Sequence, residues 1–173
     1  MSLWQDRTIV GADASYTSMS KDKPAPDLVK GALAGMVGGL AGAGAKLAAE
    51  HLFPPRPEGR TPPPVAWAEQ VTHRSLEGTE RQVAQQTIHF VFGALAGAAY
   101  GALVEFEPSL AAWRGAAFGV TLNRITHEWL LPKMELSATP NQQPTQERIS
   151  EWVSHAVYGV ITDTTRRAMR KRL

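Results

Sequence analysis

Glu151 and His155 stand four residues apart. On a helix that spacing puts a carboxylate and an imidazole on one face, and histidine titrates near physiological pH, so the pair can sense pH or hand on a proton. Lys46 and Glu50 share the spacing with opposite charges and can pair in the same way. His127 and Glu128 sit side by side shortly before Pro132. These groups lie in or at the ends of otherwise apolar stretches. A charge there costs about 2.5–3.5 kcal/mol on membrane-insertion scales and usually faces a bundle interior. With Arg56 of the Pro-Pro-Arg stop, the seven residues Lys46, Glu50, Arg56, His127, Glu128, Glu151 and His155 make a candidate functional cluster. It reads either as a proton or ion relay or, more plainly, as interfacial ion pairs and interhelical hydrogen bonds.

Other chemistry is poorly signalled. Di-metal helical bundles use Glu-x-x-His at i, i+3, whereas the spacing here is Glu-x-x-x-His. His127-Glu128 lacks the second histidine of a zinc-protease motif, and haem ligation by His89 with His127 or His155 has no attachment motif. No metal and no cofactor is therefore expected. There is no cysteine, hence no disulfide framework and no thiolate site. No nucleophile motif, phosphate-binding loop or dinucleotide fingerprint occurs, so the chain does not read as an enzyme. The terminal RRAMRKR reads as a topology anchor on anionic lipid rather than a nucleic-acid site.

The elements that position these residues are marked by small residues. Gly31, Gly35, Gly39 and Ala43 form one row at every fourth position; Gly38 and Gly42 form a second, which Lys46 and Glu50 continue. Interior glycine costs a helix in water roughly 1 kcal/mol relative to alanine. In a bilayer the chain must satisfy its own backbone groups and stays helical, and small residues let a neighbouring backbone come close. Similar rows recur: Gly93, Gly97 and Gly101, flanked by His89 and Glu105; Gly115, Gly119, Asn123 and His127; Glu151, His155, Gly159 and Asp163. Gly35, Gly39, Gly97, Gly101, Gly115 and Gly119 are read as helix-packing positions.

The pattern predicts an all-α, four-helix transmembrane bundle packed through Gly/Ala ladders, with spans at about 28–53, 86–105, 110–131 and 149–166. Residues 1–26 read as a polar disordered N-terminus and 27–173 as one helical membrane domain. The Pro-rich stretch 54–64 reads as an extended connector, and 65–85 as a surface helix with Trp67 and Val71, then a loop. The first 25 residues lack an apolar core, so no cleavable signal peptide is expected. Arg166, Arg167, Arg170, Lys171 and Arg172, with Lys21, Lys23 and Lys30, predict that both termini are cytoplasmic. Against this stand a hydrophobic content of 43% and a mean hydropathy of −0.21, both ordinary for a soluble chain. With 18 Lys plus Arg against 16 Asp plus Glu, net charge selects no partner.

Several of these residues also recur together in a known family. They are Lys46 and Glu50 before Pro54 to Arg56, His89 opening a Gly/Ala helix, and Glu105, Pro108, Trp113 and Gly115. His127 before Pro132, Ser150-Glu151 with His155, and Arg166-Arg167 complete the order. Over about residues 28–172 the chain resembles the YagU-type family of small bacterial inner-membrane proteins, a domain of unknown function. The resemblance implies an integral inner-membrane protein and no established reaction. Three function classes are open on these grounds. The favoured one is a scaffold or assembly subunit, as a homo-oligomer or within a larger membrane complex. The others are a small channel or proton-linked transporter using the Lys/Glu/His cluster, and a soluble helical bundle.

Overall fold

Asp27 supplies the first helix with its cap. In the computed structural model, which describes residues 25–55 and 60–173, the Asp27 carboxylate accepts the Lys30 N–H at 3.0 Å. That satisfies one of the donors a helix start leaves open, and α1 runs Leu28–Leu52. The N-terminus expected to be disordered lies outside the described residues apart from Ala25 and Pro26. Every element among the described residues is helical.

The Pro-rich connector is shorter than the predicted 54–64. Pro62 is extended (φ −64°, ψ 144°) and leads into α2, Pro63–Thr72. Pro63 and Pro64 occupy the first helical positions, where no N–H is needed and a fixed φ already suits a helix. α3 runs Gly78–Phe106, beginning ahead of the expected 86.

The third span departs most from expectation. It does not start near Leu110. Pro108–Gly115 forms a 3₁₀ turn in which Trp113 (φ 52°), Arg114 (φ 55°) and Gly115 (φ 88°) are all left-handed. Glycine is required at 115 on two counts: its φ is positive, and a Cβ would lie 2.6 Å from the Asp163 Cβ. Regular helix begins only with α4, Ala116–Ile125. A π-helical turn, Thr126–Leu130, and the single turn α5, Leu131–Lys133, complete this segment. α6 runs Thr145–Arg170, overrunning the predicted 149–166 at both ends.

α1 is central, with α3 on one side and α6 on the other, and α4 packs on α6. The first glycine row meets α3: Gly31 lies against Gly101, Gly35 against Gly97 and Gly39 against Gly93, an antiparallel register. The second row meets α6, Gly38 at Thr162 and Gly42 at Tyr158, also antiparallel. Gly115 and Gly119 meet Gly159 and His155. At most of these positions a Cβ would strike backbone of the facing helix first; at Gly31, Gly42 and Gly93 the nearest atoms are instead side-chain atoms of Glu105, Thr162 and Ala43.

Polarity is inverted relative to a soluble fold. Lys46, Asn123, Glu151, His155, Thr162, Asp163 and Arg166 are buried, whereas Leu33, Met36, Leu40, Phe92, Leu95 and Leu103 are exposed. α1 and α3 are long and apolar enough to cross a membrane; α4 to α5 and α6 are not, so two of the four expected spans meet that standard. Arg124, Glu128 and Lys133 interrupt the third segment, and α6 carries a polar residue at almost every turn.

Gly97→Leu is expected to destabilise the fold by about 3 kcal/mol or more, since its Cβ would come within 2.6 Å of the Gly39 Cα and overpacking here cannot be relieved by a side-chain rotation. Leu95→Ala, at a position 64% exposed, should cost less than about 0.5 kcal/mol. Thermal melts of the purified protein in detergent measure both; equal losses would place the glycine row at the surface.

Candidate functional site

The second glycine row sets the level at which the site forms. Gly42 admits α6 at Tyr158, and one turn further on Lys46 reaches it. The Lys46 Nζ lies 3.4 Å from Glu151 Oε2 and also pairs with Glu50 on its own helix. Close approach of α4 to α6 at Gly119 brings the next segment alongside. Two turns later the His127 Nδ1 lies 3.5 Å from Glu151 Oε1. His155 completes the group, its Nδ1 3.5 Å from Glu151 Oε2. The two imidazoles meet edge to face with centroids 4.9 Å apart. Glu151 is thus the hub, approached from α1, from the π turn and from its own helix.

Two details hold the hub in place. His155 Nδ1 is 2.7 Å from the Glu151 carbonyl oxygen. A carbonyl can only accept, so Nδ1 carries the proton and Nε2 keeps its lone pair. His127 sits in the π turn, where the Leu131 N–H reaches back to the Thr126 carbonyl. Such a turn inserts one residue into a helix and re-aims the side chains beyond it, and it recurs at functional sites.

The cluster faces a cavity of about 490 Å³. Its walls include Trp67 and Pro63 of α2, His89 and Gln86 of α3, and Thr126. His89 is held by its Nε2–H, which donates to the Ala43 carbonyl at 3.0 Å. The Gln86 Oε1 is buried there without a hydrogen-bond partner among the described residues.

Of the seven residues singled out by type and spacing, five converge: Lys46, Glu50, His127, Glu151 and His155. Glu128 does not join them. Its carboxylate accepts the Trp152 indole N–H at 3.0 Å and lies 3.7 Å from Arg124 and 3.9 Å from Arg148. Neighbours on a helix do not face the same way, so His127 and Glu128 could not both point inward. Arg56 lies outside the described residues.

A second buried cluster escaped the sequence reading. Asp163, fully buried, accepts from Tyr100 Oη at 3.0 Å, from Arg166 Nη2 at 2.8 Å and from Arg167 Nε at 2.6 Å. Beside it Arg170 grips Glu105 through two bonds of 2.7 and 3.0 Å. The terminal arginines, expected to anchor on lipid, are in large part ion-paired within the bundle. The signal was present, since Asp163 and Glu105 end two of the small-residue rows.

The fold and site define a class: among the described residues, an all-helical protein with buried ionisable groups and two helices long and apolar enough to cross a membrane. A family profile described as "Protein of unknown function (DUF1440)" matches residues 40–164, and the chain belongs to that family. The match spans the whole Lys46 to His155 cluster. No curated protein and no solved structure matches the chain.

Asp163→Ala is expected to cost about 3–5 kcal/mol, because it leaves the buried Arg166 guanidinium without its carboxylate. Glu80→Ala, which breaks an exposed pair with Arg74, should cost about 1 kcal/mol at most. Thermal melts compare the two; a similar small loss for both would show that Arg166 readily finds another partner.

Proposed function

We propose that the chain is a multi-pass protein of the bacterial inner membrane, with four helices in the bilayer and both termini cytoplasmic. Its interior cluster handles a proton or a small cation, as in a small channel or carrier. The observation that carries this reading is the inverted polarity. A core helix of a soluble protein is mostly buried, but only 39% of the most apolar stretch of α1 and 28% of that of α3 is covered by protein. The exposed positions include Leu33, Met36, Leu40, Phe92, Leu95 and Leu103, a surface that suits lipid better than water.

α6 supports the same reading despite its polar composition. Its buried face carries Glu151, Ser154, His155, Thr162 and Asp163, while Ile149 and Val153 are exposed and Val157, Val160 and Ile161 lie at the half-buried margin. Averaged hydropathy mixes the two faces and the polar ends, and misses a helix whose middle turns, from Glu151 to Asp163, are polar toward their partners and apolar outward. Antiparallel packing of α1 with α3, α1 with α6, and α4 with α6 returns the C-terminus to the side on which α1 starts. Ionisable groups inside a membrane domain are costly and commonly mark a path for protons or ions, and here five of them face a cavity or one another.

A scaffold or assembly subunit is the second reading: it rests on glycine rows that drive helix association and on the lack of a motif for other chemistry, whereas the ionisable cluster beside a cavity favours the first.

Alkaline carbonate is expected to leave the protein in the membrane pellet, and tags at both ends should be reachable only from the cytoplasmic side. In liposomes, flux of protons or monovalent or divalent cations should fall to the protein-free level on Glu151→Gln. Release by carbonate would overturn the membrane assignment. Flux absent from the wild type, or unchanged by the substitution, would overturn the role of the cluster.

A further inference from the structure

We propose that His127, Glu151 and His155 bind a divalent transition-metal cation, with zinc as the reference ion. The proposal names the cation for the interior site and rests on reading that cluster as a cation-handling one. One ligand atom from each of the three residues lies within 4.8 Å of the others, a separation that modest side-chain rotation closes around an ion with bonds of about 2.0–2.2 Å. Two imidazoles and one carboxylate suit zinc and its neighbours in the first transition row rather than magnesium or calcium, which take oxygen ligands. Three protein ligands leave a coordination position open, and the open side here is the cavity of about 490 Å³.

The surroundings fit the same assignment. The His155 Nδ1–H is held by the Glu151 carbonyl at 2.7 Å. This outer-shell bond fixes which nitrogen of a metal-binding histidine keeps its lone pair. The spacing of Glu151 and His155, which argued against a di-iron type of bundle, is also the i, i+4 spacing by which a single helix presents two zinc ligands. His127 arrives from another segment, through a π turn that interrupts an otherwise regular helix.

Lys46 is shared by two carboxylates, Glu50 and Glu151. Lys46 stands on Oε2 of Glu151 at 3.4 Å, and His127 approaches Oε1 at 3.5 Å. Lys46 is therefore a built-in competitor for the ion, one that can retire to Glu50 when the ion binds. Removing its charge should tighten binding, whereas a purely structural ion pair would show no such effect.

The test uses full-length, tag-free protein in detergent, stripped with chelator and titrated with Zn2+ in equilibrium dialysis, with Co2+ as the spectroscopic probe. The expected result is one equivalent bound, a melting temperature raised by Zn2+, and a Co2+ absorption spectrum of a low-coordinate site with nitrogen ligands. Glu151→Gln, His127→Ala and His155→Ala should each weaken binding by more than the roughly 10–100-fold that loss of an outer-shell partner costs. Lys46→Gln should strengthen it, and Glu128→Gln, outside the cluster, should leave it unchanged. Circular dichroism checks that each variant is folded; should the histidine variants fail to fold, the wild-type titration and Lys46→Gln still decide. No stoichiometric binding by the wild type, or binding indifferent to Glu151→Gln, overturns the metal assignment. Proton flux that depends on Glu151 in a protein that binds no metal would overturn this inference alone. Stoichiometric metal binding without flux would overturn the transport reading and leave the site.

Discussion

Backbone contact between α1 and its two neighbours is the constraint on which the other features depend. Gly35 and Gly39 meet Gly97 and Gly93 on one side, and Gly38 and Gly42 meet Thr162 and Tyr158 on the other. With no side chain on the glycine side of the contact, the helices are held by dispersion over closely apposed surfaces, largely backbone toward α3 and backbone with Thr162 and Tyr158 side-chain atoms toward α6. A helix so thin on both faces cannot hold an ordinary hydrophobic core. The interior volume is consumed by main chain, and the large apolar side chains of α1 and α3 are turned outward. Close approach, apolar surface and polar interior are therefore one fact seen three ways.

The same contact determines where charges can go. As the row Gly38, Gly42 runs out, Lys46 and Glu50 occupy the seam, and the helices separate enough to leave the cavity. At the opposite end Asp163 and Glu105 close their rows against Arg166, Arg167 and Arg170. The two ends are built differently. The arginine end is dense with short bonds in forked geometry, which suits a structural clamp. The histidine end has longer separations of 3.4 to 3.5 Å around Glu151 and open space beside it.

α2 and the π turn show how short segments shape that open space. α2 starts on consecutive prolines, lays Val65 fully buried and sets Trp67 at the cavity wall. Thr126, at the head of the π turn, bonds back to the Leu122 carbonyl at 2.7 Å, so the helix is locally rewound just where His127 turns toward Glu151. Arg60 ties the connector to Glu147 at 3.0 Å, and the Ser150 hydroxyl caps the Phe53 carbonyl at the end of α1. These contacts fix the cavity end of α6 against the end of α1.

The sequence by itself determined the helical class, the faces of α1 and much of the cluster. A period of four in small residues survives any arrangement of partners, so the two rows of α1 and the placing of Lys46 and Glu50 on the second were legible. So was the common face of Glu151 and His155. What the tertiary structure decided lies where the helical phase is broken or where a partner must be chosen. The left-handed run Trp113 to Gly115 delays α4, and the π turn rotates the chain after Thr126; each inserted or rewound residue shifts the face by about 100°. His127 keeps to the face of Gly119 and Asn123 and meets the hub, while Glu128, the next residue on the turn, faces away and pairs with Trp152. Partner choice separated Asp163 from its apparent kinship with Glu151 and His155, since one face of α6 passes first α1 and α4 at the cavity and then Tyr100 and the terminal arginines. Periodicity states which residues share a face. Only the packed helices state what that face meets.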